Sequence, residues 1–166
     1  MIYTVTMNPS LDYLLSLPAL QAGETNRSAA ERLVAGGKGI NVSKMLYNLG
    51  MDSIIWGFAG GFSGEELCRQ LTAAGLRQEL ISLHNGNTRI NVKLSAGQET
   101  EVNAKGPQAE EEALQIFYRR LEALTAEDYV VLSGSLLPGM PCDSYRQIMH
   151  CLLYTSDAAD DMQCVD

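Results

Sequence analysis

Residues 36–50 read GGKGINVSKMLYNLG, and this stretch decides the fold. Its glycines precede apolar residues at helical spacing, and Gly50 ends the run. The pattern predicts a glycine loop that opens an α-helix, with an anionic or hydroxyl-rich ligand near the backbone N–H groups and the positive end of the helix. A tight strand-to-helix turn without a ligand is the alternative interpretation.

The glycine loops fit neither of two common nucleotide-binding patterns. A phosphate-binding P-loop would need Gly at position 32 and Ser or Thr at position 39, where the chain has Arg32 and Gly39. The second glycine run, residues 57–64, has Ala59 where the dinucleotide fingerprint requires Gly. Both motifs are therefore excluded.

Strands and helices alternate along most of the chain. Residues 2–7 form a β-rich run that breaks at 8–10, so Asp12 is predicted just past the first strand. The later segments are predicted as a strand over 53–58, a helix over 64–74, a strand over 79–83, a helix over 109–124, a strand over 129–132 and a helix from near Asp143. This alternation is typical of an α/β protein with a parallel sheet.

Shorter β segments interrupt that alternation. Residues 13–17 and 28–34 are short and mixed in polarity, as in small strands that project from a main sheet. Residues 88–94 and 100–103 flank a turn-like segment and predict a hairpin. We expect these strands to form a small lid.

Polar side chains cluster near the predicted loops. Asp12, the glycine loop and residues 133–135 each follow a predicted strand, where ligands bind in open parallel sheets. Arg89, Asn91 and Lys93 alternate along one strand, so they project from one face and are able to hold a phosphate. An ordinary solvated face is the alternative.

Composition narrows the class of partner. The chain has 166 residues, 46% of them hydrophobic, which suits one domain with a buried core. Its net charge of −8 argues against nucleic acid or an anionic membrane, and no apolar run is long enough to span a bilayer. A cytoplasmic protein is expected. The four cysteines lack metal-ligand spacing, so we predict neither a metal site nor a disulfide.

Five motifs resemble the ribokinase-like (PfkB-type) sugar kinases, in order over residues 1 to about 150. They are NPSLD at 8–12, GGKGINVS at 36–43, TRINVK at 88–93, ETEVN at 99–103 and LSGS at 132–135. Within this family, TRINVK and ETEVN are most similar to the 1-phosphofructokinase branch, with the tagatose-6-phosphate kinases next.

The resemblance implies a doubly wound, mostly parallel sheet with a small β lid, truncated to its N-terminal half. The half-domain covers residues 1–150, with lid strands at about 12–34 and 88–103. The implied activity is ATP- and Mg²⁺-dependent phosphorylation of fructose 1-phosphate to fructose 1,6-bisphosphate, and the implied assembly is a homodimer through the lid. Tagatose-6-phosphate kinase activity, or a non-catalytic half-protein that binds sugar phosphate, stays the alternative.

The resemblance also implies roles for individual residues. Asp12 and Asn41 would hold sugar hydroxyls, because carboxylate and amide groups suit a polyol. Lys38, Arg89 and Lys93 would neutralise the phosphate already on the sugar. The remaining implied substrate-binding residues are Gly37, Asn91, Ser135, Glu101 and Asn103; the last two either order the cations or make plain cross-strand contacts.

No catalytic residue is assigned within these 166 residues. Phosphoryl transfer needs a base for the attacking hydroxyl, stabilisation of the transferred group and Mg²⁺ on the nucleotide. In the family the base is an Asp in a GAGD motif near the C-terminus, and no GAGD occurs here. The resemblance also implies that ATP is bound mainly by the C-terminal half, so that most of the ATP site lies outside these residues.

Residues 151–166 depart from the family pattern. The string CLLYTSDAADD at 151–161 resembles translated adapter DNA from sequencing-library preparation. We expect a non-native tail over 151–166, with a divergent natural C-terminus as the alternative.

Overall fold

The structure is a computed structural model that describes residues 1–155. Within that range, helices and strands alternate in the order that the sequence predicts. In chain order the elements are β1 (Ile2–Thr6), β2 (Ser10–Ser16), β3 (Ala30–Gly36), α1 (Lys38–Asn48), β4 (Ser53–Gly60), α2 (Gly61–Ala73), β5 (Arg77–Leu83), β6 (Arg89–Ser95), β7 (Glu99–Val102), α3 (Glu111–Glu122), β8 (Tyr129–Ser133) and α4 (Ser144–Thr155).

The main sheet is parallel, with strand order β5-β4-β1-β8. Ile2 of β1 is paired with Ser53 of β4 on one side and with Tyr129 of β8 on the other. Every residue of β4 is buried, because this strand has a neighbour on each side and a helical layer on each face. The predicted α/β fold with a parallel sheet is confirmed.

Helices cover both faces of the main sheet. The helices α3 and α4 cover one face, where the core contains Val5, Ile54, Trp56, Phe58, Phe117, Leu121 and Ile148. The helices α1 and α2 cover the other, where the core contains Leu11, Ile40, Ile55, Leu67 and Leu71. Successive residues of β4 therefore face opposite layers, as a doubly wound sheet requires.

A second sheet is built from β3, β2, β6 and β7, in that order. The strand β2 is antiparallel to β3 and parallel to β6, and β6 is antiparallel to β7. The hairpin predicted over 88–103 is thus confirmed as β6 and β7. The face of this sheet that carries Asp12 also carries Arg89, Asn91, Lys93 and Glu101, and the opposite face carries Leu11, Leu33 and Ile90.

The prediction that Asp12 lies just past the first strand is wrong. The strand β1 ends at Thr6 and β2 begins at Ser10, so Asp12 lies inside β2, paired with Val34 and Asn91. The residues after the break at 8–10 themselves form a strand, because β3 and β6 supply neighbours for it. The glycine loop likewise follows β3 of the second sheet, and of the three predicted ligand segments only residues 133–135 follow a main-sheet strand.

The predicted non-native tail falls mostly outside the described residues. The helix α4 continues to Thr155, which includes the first five residues of that segment. Residues 156–166, with Cys164, lie beyond the described range. Up to Thr155, no helix has the length and apolar character needed to cross a membrane.

Candidate sugar-phosphate site

Asp12 is surrounded by hydrogen-bond donors on the second sheet. Its Oδ1 accepts hydrogen bonds from Ser10 Oγ at 2.8 Å and from Asn91 Nδ2 at 3.0 Å, and its Oδ2 lies 3.2 Å from Lys93 Nζ. Burial raises the pKa of Asp12, but the hydrogen bonds from Ser10, Lys93 and Asn91 together outweigh it and leave the pKa below its ordinary value. Asp12 is therefore an ionised acceptor with a fixed orientation.

Arg89 lies on the same face, two residues before Asn91. Its Nε donates a hydrogen bond to the carbonyl oxygen of Asn8 at 3.2 Å. Burial lowers the pKa of Arg89, and the charge of Asp12 acts in the opposite direction. Its two Nη groups make no hydrogen bond to another residue in the described range. Arg89 thus has one end of its guanidinium fixed and the other end open.

Lys93 lies between two carboxylates. Its Nζ is 3.2 Å from Asp12 Oδ2 and 3.4 Å from Glu101 Oε1, and the hydrogen bond to Asp12 is the main cause of its raised pKa. Glu101 is the cross-strand partner of Lys93, and Asn103 Nδ2 donates to Glu101 Oε2 at 3.3 Å. Glu101 thus makes a cross-strand ion pair with Lys93, the contact on which both interpretations of Glu101 depend.

The start of α1, just after the glycine loop, packs closely against the end of β1. Gly37 has a φ of 140°, in the region that favours glycine, and precedes the first helical residue. A Cβ on Gly39 would lie 2.5 Å from Thr6 Oγ1 and 2.7 Å from the carbonyl oxygen of Val5. Thr6 Oγ1 also accepts a hydrogen bond from the Ile40 N–H at 3.1 Å, which satisfies one free donor of the helix start.

The glycine loop lies next to Asp12 on one side and next to the loop at 133–135 on the other. A Cβ on Gly36 would lie 2.9 Å from Asp12 Cγ, and one on Gly134 would lie 3.8 Å from Lys38 Cβ. The loop at 133–135 is held by Tyr145, whose hydroxyl lies 3.1 Å from the carbonyl oxygen of Ser133 and 3.0 Å from that of Gly134. The structure thus brings the glycine loop next to Asp12 and next to the loop after β8.

Three predicted site residues are exposed and stand apart from this network. Lys38 and Asn41 lie at the start of α1, and Ser135 follows Gly134. Their side chains make no hydrogen bond to another residue within 1–155. The structure places them near the glycine loop without joining them to Asp12.

Three buried polar atoms lack a hydrogen-bond partner in the described part of the chain. They are Asn8 Oδ1, Asn91 Oδ1 and Ser133 Oγ. Buried polar groups in proteins are ordinarily paired, so these three atoms are exceptions to the usual pattern. In both asparagines the amide nitrogen is bonded, in Asn91 to Asp12 and in Asn8 to the carbonyl oxygens of Lys105 and Leu136.

Sequence reasoning missed three residues of this region. Ser10 bonds to Asp12, and its spacing of two along a strand was the signal that would have found it. Lys44 Nζ donates to the carbonyl oxygen of Ala35 at 2.6 Å, at the end of β3. Burial lowers the pKa of Lys44, and the charge of Asp12 opposes that effect. Asn8 is the third, and its contacts reach residues far away in sequence.

The site offers groups for hydroxyls and for an anion. Asp12 and Asn91 supply acceptors, and Arg89 and Lys93 supply cationic donors. No group of three or more His, Cys, Asp or Glu side chains suited to a metal ion occurs between residues 1 and 155.

Curated relatives match most of the chain. The chain is 43% identical over 148 residues to a 1-phosphofructokinase of Bacillus subtilis, an alignment that covers 89% of the chain and 48% of the relative. It is 39% identical over 149 residues to a 1-phosphofructokinase of Borreliella burgdorferi, with the same coverage. The chain spans about half the length of the curated relatives it matches.

A solved structure and a family model agree with these relatives. The crystal structure of phosphofructokinase-2 from Escherichia coli in complex with fructose-6-phosphate is 25% identical, with a TM-score of 0.86, and the match covers 93% of the chain and 52% of that protein. The model of pfkB family carbohydrate kinases matches residues 5–157. The chain therefore belongs to the pfkB family of carbohydrate kinases.

Proposed function

We propose that this chain forms the sugar-phosphate-binding half of a kinase that converts fructose 1-phosphate to fructose 1,6-bisphosphate with ATP. The observation that carries the proposal is the fixed, ionised Asp12 beside Arg89, Asn91 and Lys93 on one face of the second sheet. Relatives named 1-phosphofructokinase support the choice of substrate.

In this proposal Asp12 and Asn41 hold sugar hydroxyls, and Asn91 Oδ1 accepts a further hydroxyl hydrogen. Arg89 presents its open Nη groups to the phosphate, because a planar guanidinium pairs well with phosphate oxygens. Lys38 and Lys93 complete the positive charge. Lys93 is bonded to Asp12 and Glu101, so phosphate binding requires it to exchange or share those contacts.

ATP is the second substrate in this proposal, and Mg²⁺ would neutralise charge on its phosphates. The absence of a suitable acidic cluster within 1–155 means that no described residue is assigned to Mg²⁺. The sequence has no GAGD motif, so the residues of this chain bind and orient the sugar phosphate without supplying the base.

The test begins with the source DNA, sequenced across codon 150 without the adapter chemistry. The product of the complete reading frame is assayed for ATP-dependent turnover of fructose 1-phosphate, with tagatose 6-phosphate as the competing substrate. A higher kcat/KM for fructose 1-phosphate supports the proposal. A higher kcat/KM for tagatose 6-phosphate would show that tagatose 6-phosphate, not fructose 1-phosphate, is the substrate. Binding of a sugar phosphate without turnover would show that the protein is a non-catalytic sugar-phosphate binder.

Arg89→Ala and Lys38→Ala test the phosphate contacts in the same protein. Each should weaken binding of fructose 1-phosphate by about 1.5–3 kcal/mol, which is roughly 10- to 150-fold, because a charge-assisted hydrogen bond is lost. Isothermal titration calorimetry measures the change. Arg69→Ala is the matched control, since Arg69 is exposed on α2 and pairs with Glu66. Equal losses in all three variants would contradict the assignment.

Association through the second sheet is also proposed. The face of this sheet opposite Asp12 carries apolar side chains, of which Leu33 and Val102 are exposed. Exposed apolar patches on sheets favour protein contacts. Sedimentation of Leu33→Glu against the unchanged chain tests it, and an unaltered mass would refute it.

A further inference from the structure

Asn8 occupies the crossing between the two sheets. The strand β1 of the main sheet ends at Thr6 and β2 of the second sheet begins at Ser10, so Asn8 lies in a three-residue link. The residue is only 4% exposed. A buried carboxamide in so short a link must be held by other segments, because burying it unpaired is costly.

Two distant loops supply those partners. Asn8 Nδ2 donates to the carbonyl oxygen of Lys105 at 2.9 Å and to that of Leu136 at 3.2 Å. Lys105 lies after β7, where the chain leaves the second sheet, and Leu136 lies after β8. Gly106 closes tightly over the amide, since a Cβ there would lie 2.5 Å from Asn8 Oδ1. One side chain thus ties three segments together.

The backbone of Asn8 in turn holds Arg89. Its carbonyl oxygen accepts the hydrogen bond from Arg89 Nε. The preceding residue, Thr88, is anchored separately: its N–H donates to Gly60, its Oγ1 accepts from the Gly60 N–H, and its carbonyl accepts from Ser63 Oγ. Thr88 therefore holds the backbone at the start of β6, and the Asn8 carbonyl binds the Nε end of the Arg89 guanidinium.

We propose that Asn8 is a positioning residue for Arg89. With Nε bound to the Asn8 carbonyl, the guanidinium plane is held in one orientation, and its Nη groups stay without a partner within residues 1–155. A planar, two-oxygen acceptor such as phosphate gains most from a fork whose orientation is already fixed. The identity of the anion rests on the proposed function, whereas the orientation of Arg89 does not.

A spectroscopic experiment on the full chain tests the orientation without any ligand. Hydrogen exchange of the Arg89 Nε–H is followed by NMR, with Arg89→Lys to identify its signal and exposed Arg77 as an internal reference. In Asn8→Ala the Arg89 Nε–H should exchange about tenfold faster and approach the rate of Arg77. An unchanged rate in a folded Asn8→Ala variant would overturn the proposal.

Two further variants keep this measurement decisive. Gly106→Ala would place a Cβ 2.5 Å from Asn8 Oδ1, so it should displace the Asn8 amide and speed the same exchange, which gives a result even if Asn8→Ala does not fold. Asn26→Ala is the matched control, because Asn26 Nδ2 also binds two carbonyl oxygens, those of Gln21 and Glu24, in an exposed turn. Faster Arg89 exchange in Asn26→Ala would show a general loosening and count against Asn8.

A double-mutant comparison tests the consequence for binding, with fructose 1-phosphate as the probe. Asn8→Ala should weaken binding about tenfold when Arg89 is present and less than about twofold in the Arg89→Ala background. Equal losses in both backgrounds would refute action through Arg89. If the unchanged chain binds no sugar phosphate but Arg89 Nε–H is protected, the proposed function fails and the positioning role stands.

Discussion

At the scale of single residues, the charge of the Asp12 carboxylate links the candidate site to the stability of the fold. Its carboxylate accepts from Ser10 and Asn91 and pairs with Lys93, so the native state favours the ionised form. A lowered native pKa stabilises the folded chain above the unfolded value of about 4, and that stability is lost as pH falls through the native pKa.

Asp12→Asn should therefore flatten the acid limb of the stability curve. Unfolding of the variant between about pH 2 and 5 should take up as much as one proton fewer than unfolding of the unchanged chain, because Asn does not titrate. Urea unfolding at a series of pH values measures the slope. Asp52→Asn is the control, since Asp52 is exposed and makes no ion pair within 1–155. Identical slopes in Asp12→Asn and the unchanged chain would contradict the prediction.

At the scale of elements, the start of α1 depends on close approach to β1. The helix begins after Gly37, and Gly39 lies against the Val5 carbonyl and Thr6. This contact sets the position of the glycine loop beside Asp12. The first turn of α1 therefore packs against β1 through its backbone, because a side chain at Gly39 would separate the two elements.

Gly39→Ala should destabilise the chain by about 1–3 kcal/mol, because the added Cβ meets backbone that cannot move aside cheaply. Thermal unfolding followed by circular dichroism measures the loss. Asn48→Ala, at an exposed position near the end of the same helix, should change stability by less than about 0.5 kcal/mol. A Gly39→Ala variant as stable as Asn48→Ala would show that the helix start adapts freely.

The strands should differ widely in local stability. All residues of β4 are buried, whereas every residue of β7 is exposed at an edge of the second sheet. Amide hydrogens of β7 should exchange at least about 100-fold faster than those of β4, because edge strands open without global unfolding. Hydrogen–deuterium exchange with mass spectrometry measures this, with β6, which has two neighbours, as the intermediate control. Equal protection of β4 and β7 would refute it.

At the scale of the whole molecule, the two edge strands of the main sheet differ in how well they are protected from pairing with strands of other chains. The strand β5 begins with the polar residues Arg77, Gln78 and Glu79, and charge at an edge opposes pairing with other chains. The strand β8 reads YVVLS and has, among the strands within residues 1–155, one neighbour, β1; its Tyr129 is 70% exposed. An uncharged edge strand favours pairing with another chain.

The chain should therefore self-associate as its concentration rises, through β8. Val131→Lys should lower the apparent mass measured by light scattering after gel filtration, because a charged edge strand resists pairing. Val102→Lys, on β7, is the comparison that reports association through the second sheet. If only Val102→Lys lowered the apparent mass, the association would occur through the second sheet and not through β8.

The sequence by itself determined the local elements and their order. Glycine positions and apolar periodicity predicted the helix after Gly37, the hairpin at 88–103 and the strand over 129–132, because these signals depend on neighbouring residues. The alternation of Arg89, Asn91 and Lys93 likewise placed three side chains on one face, since strand geometry fixes that result.

Only the tertiary structure decided which groups meet. Asp12 lies inside β2 because β3 and β6 flank it, and its contact with Asn91 joins residues 79 apart in sequence. The amide of Asn8 reaches carbonyls 97 and 128 residues away. No local pattern encodes such pairs, because they form only when strands and loops far apart in sequence come together in the fold. The positions of the chemical groups in the site therefore follow from packing over long sequence distances.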